Sequence, residues 1–122
     1  MLYPKGNQMI PQLAMPYTAS QKEDTEYFYM KSLYPPFSKE ISRHIDEVCD
    51  KMEWDGSTMY DQVPDAVRLR RMAAEIANFC VEKNPQMDIE HLPEMVEIML
   101  YNEMFYRRRR RRQHKENMGR PY

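Results

Sequence analysis

Glycine is nearly missing from this sequence, with three in 122 residues, and β-branched residues are sparse. A β-sandwich or a doubly wound sheet needs both, the first for tight turns and the second for pleated surfaces, so neither architecture fits. Long apolar runs are missing too: no stretch reaches the eighteen residues that a membrane-crossing helix requires. The N-terminus lacks the basic and then apolar order of a secretory signal, and the expectation is a protein kept inside a cell. Cysteine is limited to Cys49 and Cys80, 31 positions apart, with no Cys-x-x-Cys pair. Two buried thiols are expected, rather than a zinc site or, in a reducing compartment, a disulfide.

What is present is helical pattern. Phe37, Ile41, Ile45, Val48 and Met52 recur at three- and four-residue steps and share one face of a helix. Leu69, Met72, Ala73, Ile76, Phe79 and Cys80 repeat that spacing beyond a connector, so the two stripes predict a helical hairpin. The first core helix opens at Pro36 or Ser38 and should run to about Glu53 or Trp54. In the connector Gly56 is expected to take the left-handed conformation that closes a helix, with Met59 and Tyr60 turned inward beneath it. Pro64 suits the first turn of the second core helix, with Asp65 near its positive end, and Asn84-Pro85 should end it. A last helix starts between Asp88 and Pro93. Its face of Leu92, Met95, Val96, Met99, Leu100, Met104 and Phe105 is broader than one helix contact needs, enough for both core helices or a second copy of the chain.

Ahead of these elements, residues 1–22 carry Pro4, Pro11 and Pro16 without any period, and read as a flexible arm. Glu23 to Leu33 makes a short helix with acidic residues at its start, ended by Tyr34-Pro35-Pro36. The expected organisation is an arm over 1–22, a helical domain over 23–106 and an arginine-rich tail over 107–122. The fold class is all-α, a three- to four-helix bundle.

A formal net charge of −1 hides a division. Residues 1–100 hold ten Lys and Arg against seventeen Asp and Glu, whereas residues 101–122 hold eight against two. The body is thus acidic and the tail basic, which predicts an electrostatic partner for the tail or head-to-tail attraction between copies. Arg107, Arg108, Arg109, Arg110, Arg111 and Arg112 are the expected partner-binding residues. No breaker stops the helix from extending into this run, but like-charge repulsion at i,i+4 argues that it frays there; Gln113 to Tyr122 should be disordered, and the run, solvated beyond the last apolar residue and adding only repulsion, should be dispensable for folding. Guanidinium groups bind phosphate, so a nucleic-acid backbone is the alternative partner to an acidic protein surface.

Catalytic signatures are missing. Neither cysteine adjoins a histidine in sequence, and there is no Gly-x-Ser-x-Gly elbow or glycine-rich phosphate loop. Glu40, His44 and Glu47, and again His91, Glu94 and Glu97, place an imidazole and carboxylates on one helix face. Both read His-x-x-Glu, the reverse of the Glu-x-x-His of di-iron bundles, and solvated helix charges are the expectation. No catalytic residue, metal ligand, cofactor or small-molecule substrate is assigned.

The runs Tyr29-Met30-Lys31-Ser32-Leu33-Tyr34-Pro35 and Cys49-Asp50-Lys51-Met52-Glu53-Trp54-Asp55-Gly56-Ser57-Thr58-Met59-Tyr60-Asp61, with Pro64-Asp65 and a helix ending in an arginine cluster, carry a resemblance. Over residues 27–112 the chain resembles small uncharacterised helical proteins of anaerobic spore-forming bacteria. The likeness transfers no functional residue; it implies a connection with sporulation or spore-coat assembly. The expectation is a small non-enzymatic structural or protein-interaction module, with a nucleic-acid-associated protein as the alternative.

Overall fold

In the computed structural model the structure describes residues 19–119, with side chains from 21 to 116. Among them are four α-helices, two 3₁₀ turns and no strand, in the order α1 (Ala19–Ser32), α2 (Pro36–Asp50), the turn Thr58–Tyr60, α3 (Ala66–Lys83), the turn Pro85–Met87 and α4 (Leu92–Gly119). The all-α expectation holds. The chain divides into two compact units, Met1–Tyr34 and Pro35–Tyr122.

The first unit's described part is α1, four residues longer at its start than the acidic cluster predicts. The expected arm over 1–22 therefore yields its last four residues to helix, and residues 1–18 lie outside the described residues. Tyr27 packs edge-on against Phe28 at 5.2 Å between ring centroids, and the Lys31 ammonium lies 5.3 Å from the centre of the Tyr27 ring.

In the second unit α2 begins at Pro36, whose missing N–H would have been unpaired there anyway. It buries Ile41, Ile45 and Cys49, while Phe37, Val48 and Met52 are packed at the margin of the core. The helix stops at Asp50, three residues before the expected end. Lys51 N–H is shared between the Glu47 and Val48 carbonyls, a tightened last turn, and the Ser57 hydroxyl donates to the Met52 carbonyl at 2.7 Å. A carbonyl bonded from the loop no longer serves a further helical turn.

The Asp65 carboxylate caps α3 by accepting from the Arg68 N–H at 3.1 Å, so Pro64 precedes the cap instead of occupying the first turn. Asn84 closes α3 and its side chain accepts from the Gln86 N–H at 3.2 Å, which starts the next turn. Ala73, Ile76, Ala77 and Cys80 are buried; Phe79, expected inside, is 40% exposed.

The long α4 packs on both α2 and α3 through Leu92, Val96, Leu100 and Met104. Met59 and Met87, one from each 3₁₀ turn, close the core and are fully buried. Burial of each such side chain contributes on the order of 1.5–3 kcal/mol, so the three-helix contact is held mainly by apolar area. Phe105 is 59% exposed and is no part of that face.

Two backbone expectations fail. Gly56 does not adopt a positive φ; among the described residues the left-handed one is His91, at φ 68°, which turns the chain into α4. Glycine at 56 instead admits the Trp54 ring, which would stand 2.8 Å from an added Cβ. Nor does α4 fray at the arginine run: it continues through it to Gly119.

Candidate functional site

The fold turns the arginine run inward as much as outward. Arg107 falls one turn beyond Glu103 and three residues beyond Met104, on the same buried side of α4, and its side chain is 8% exposed. Its Nε donates to Glu103 Oε2 at 2.7 Å. Its Nη1 donates to Asp50 Oδ1 and to Glu53 Oε2, both at 2.9 Å, and Nη2 stands 3.9 Å from Asp46 Oδ1. Burial alone would lower its pKa, but the bonds to Glu103 and Asp50 outweigh that and hold it above the ordinary arginine value. One guanidinium thus joins the end of α2 to α4.

Arg108 holds the connector. Its Nη1 donates to the Met59 carbonyl at 2.8 Å and to the Asp61 carbonyl at 2.6 Å, and its Nη2 to the Gln62 carbonyl at 3.3 Å. The Met59 carbonyl lies within the 3₁₀ turn and those of Asp61 and Gln62 just past it, and the arginine supplies donors to all three. Arg110 Nη2 lies 3.5 Å from Glu53 Oε2. Arg111 pairs with Asp55, and its guanidinium carbon sits 3.9 Å from the centre of the Tyr60 ring, a cation–π contact. The Tyr60 hydroxyl donates to Glu53; burial, and then that carboxylate, hold its pKa well above the ordinary phenol range.

The expectation that Arg107 to Arg112 form a solvated tail, adding only repulsion to the folded state, is therefore corrected. The acidic partner expected on another molecule is, for Arg107, Arg110 and Arg111, the acidic body of the same chain. Glu103-x-x-x-Arg107, an i,i+4 ion pair, was the sequence signal for it. The carbonyl contacts of Arg108 leave no such signal.

Beyond this clasp lies a cleft of about 530 Å³ lined by Asp55, Tyr60, Gln62, Arg108, Arg111, Arg112 and Lys115. Arg112 and Lys115 are exposed there, and Arg109 is exposed on a neighbouring face of α4. That solvent-facing stripe of α4 also carries Glu94, Ile98 and Phe105, with Ile98 62% exposed and Phe105 59%.

The two histidine groups part ways. His91 is solvated, its Nδ1 lying 3.1 Å from Glu94 Oε1. His44, expected toward solvent, is 3% exposed and packs edge-on against Phe79 with ring centroids 5.0 Å apart. Its Nε2 stands 3.2 Å from Glu40 Oε2 and its Nδ1 3.8 Å from Glu47 Oε1, but neither nitrogen has a partner in hydrogen-bond geometry. Arg43, bonded to Glu40 at 2.6 Å, draws the Glu40 carboxyl below its ordinary pKa. Among the described residues no group of three or more His, Cys, Asp and Glu side chains is placed to hold a metal ion.

Cys49 and Cys80 are both buried and free. Burial pushes the Cys49 thiol up to about 12 and raises that of Cys80 as well. No helix among the described residues is long and apolar enough to cross a membrane. No protein-family model, curated protein or solved structure matches this chain.

Proposed function

We propose that the protein is a small non-enzymatic structural module that assembles with further copies of itself through the outer stripe of α4. The observation that carries this reading is the order of exposed side chains along that stripe: Glu94, Ile98, Phe105, Arg109. Two such helices laid antiparallel about Tyr101 and Asn102 set Ile98 of one copy on Phe105 of the other. The same register sets Glu94 against Arg109 at both ends. A two-fold contact must match a surface to itself, and this sequence of charge and apolar side chains does so.

The face buried in the core is the opposite one, so pairing requires no refolding. Side chains seven residues apart lie about 10 Å apart along a helix, which makes the contact short. A contact of that size supports a weak association that strengthens where many copies are concentrated. Assembly of that kind fits a coat or scaffold component, and the resemblance to proteins of spore-forming bacteria is what connects the module with sporulation and a cytoplasmic or spore-associated place.

Sedimentation velocity across a wide range of protein concentration tests the reading. The parent should shift from monomer towards dimer as concentration rises. Glu94→Arg and Arg109→Glu should each weaken the dimer, and the double exchange should restore it. A parent that stays monomeric throughout, or a double exchange that fails to recover association, would contradict the proposed pairing.

A further inference from the structure

The cleft between α4 and the connector is a second surface, which meets the outer stripe only at Arg112, seven residues beyond Phe105. We infer that it binds a compact oligophosphate anion, two or three linked phosphate groups. Four cations line it, Arg108, Arg111, Arg112 and Lys115, against one carboxylate, Asp55, which Arg111 already engages. They occupy positions i, i+3, i+4 and i+7 of one helix and so form a continuous basic stripe, whose mutual repulsion an anion relieves.

Two of the four are fixed before any ligand arrives. Three carbonyl contacts hold Arg108, and Asp55 with the Tyr60 ring holds Arg111. Cations that are already ordered cost little further entropy on binding. Arg108 keeps Nε free of those carbonyl contacts, so part of its guanidinium remains for a ligand oxygen. Arg112 and Lys115 stand exposed at the mouth. Guanidinium groups match phosphate oxygens in pairs, whereas the ammonium adds a point charge.

Length decides the kind of phosphate ligand. Seven residues of helix span about 10 Å. A nucleic-acid strand places a phosphate every ~3.4 Å along its axis, so the stripe accommodates about three charges. It does not continue: Glu116 follows Lys115, and the same stripe leads back from Arg108 to buried Met104 and to Tyr101. One face of the Tyr60 ring is covered by Arg111. The site therefore suits a short cluster of phosphates, as in tripolyphosphate or a nucleotide's phosphate chain, rather than an extended strand with stacked bases.

Titration calorimetry with sodium tripolyphosphate on the full chain at low salt tests the inference. The double variant Arg112→Gln/Lys115→Gln should bind about tenfold more weakly or worse, the loss expected on removing two charge-assisted contacts. Arg70→Gln/Arg71→Gln, which removes two exposed charges of α3, should bind within about twofold of the parent. Both variants should keep the parental melting temperature. A short single-stranded DNA oligonucleotide serves as the phosphodiester source and should bind no tighter than tripolyphosphate. The inference is overturned by a parent that does not bind, by equal losses in the two variants, by no loss in the cleft variant, or by tighter binding of the oligonucleotide.

Discussion

Arg107 and His44 are both buried polar side chains on core helices, and they meet opposite fates. Arg107 has four carboxylates around it and three hydrogen bonds to them, whereas the two nitrogens of His44 have none. A buried polar atom without a bond carries its full desolvation cost, so replacing it by an apolar side chain of similar size should cost little. His44→Leu should thus alter stability by less than ~1 kcal/mol in urea unfolding; a loss of several kcal/mol would mean the imidazole is bonded to Glu40 or Glu47 in solution. The cysteines make a second residue-scale case. Their thiols are buried and their pKa values raised, and the thiolate is the reactive form. Ellman's reagent at mildly alkaline pH should therefore label neither in the native protein and both in denaturant; rapid native labelling would contradict their burial. Nothing in the spacing of His44 distinguished a solvated ring from one pressed on Phe79, because Glu40, Arg43 and Glu47 surround it with charge on the same helix.

Helix boundaries were legible where proline or a side-chain cap sets them, at Pro36, at Asp65 and at Asn84-Pro85. They were misjudged where a tertiary bond decides, as at Asp50, where the Ser57 hydroxyl captures the Met52 carbonyl. The apolar stripes were read correctly at their centres, Ile41 and Ile45 on α2 and Ile76 on α3, but not at Phe79, which lies at the edge of its stripe, or at Phe105, which falls on the outer face of α4. Truncation at a centre should be costly: Ile45→Ala or Ile76→Ala should lose about 2–5 kcal/mol, measured by denaturant unfolding. A loss below ~1 kcal/mol for either would mean that the site collapses around the gap or that the helices do not meet there. The connector is a different kind of element, since three of its carbonyls depend on one side chain from α4. Arg108→Ala should raise hydrogen exchange across residues 57–63 while α3 stays protected; an unchanged connector would show that Met59 alone anchors it.

At the scale of the whole molecule, the acidic body and basic C-terminal segment form one internal system. Glu103, Asp50 and Glu53 neutralise a guanidinium that cannot shed its proton, and Arg43 holds Glu40 below its ordinary pKa. A carboxylate whose folded pKa is depressed contributes stability above its unfolded pKa and loses it as pH falls through the folded one. Melting temperature should accordingly fall as pH drops below the ordinary carboxylate range, about 4, and the depressed Glu40 carboxyl takes up its proton. Scanning calorimetry from neutral to acid pH checks this, and a flat profile would contradict it. The charge division was visible in the sequence; its direction was not, because composition cannot tell attraction between molecules from attraction within one.

The arginine run is a clasp within the fold, anchored at Arg107, and only its outer positions are left for the proposed contacts with other molecules. The most direct measurement compares the melting temperatures of Arg107→Gln and Arg112→Gln with the parent in one buffer. Removing one member of a buried, bonded charge cluster costs about 3–5 kcal/mol, with the lower end expected here because Asp50 is 69% exposed. For a domain of this size that loss corresponds to a fall of more than ~10 °C. Such a fall is expected for Arg107→Gln and a change of no more than ~2 °C for Arg112→Gln. Two variants that both melt with the parent would return the whole run to the status of a solvated tail.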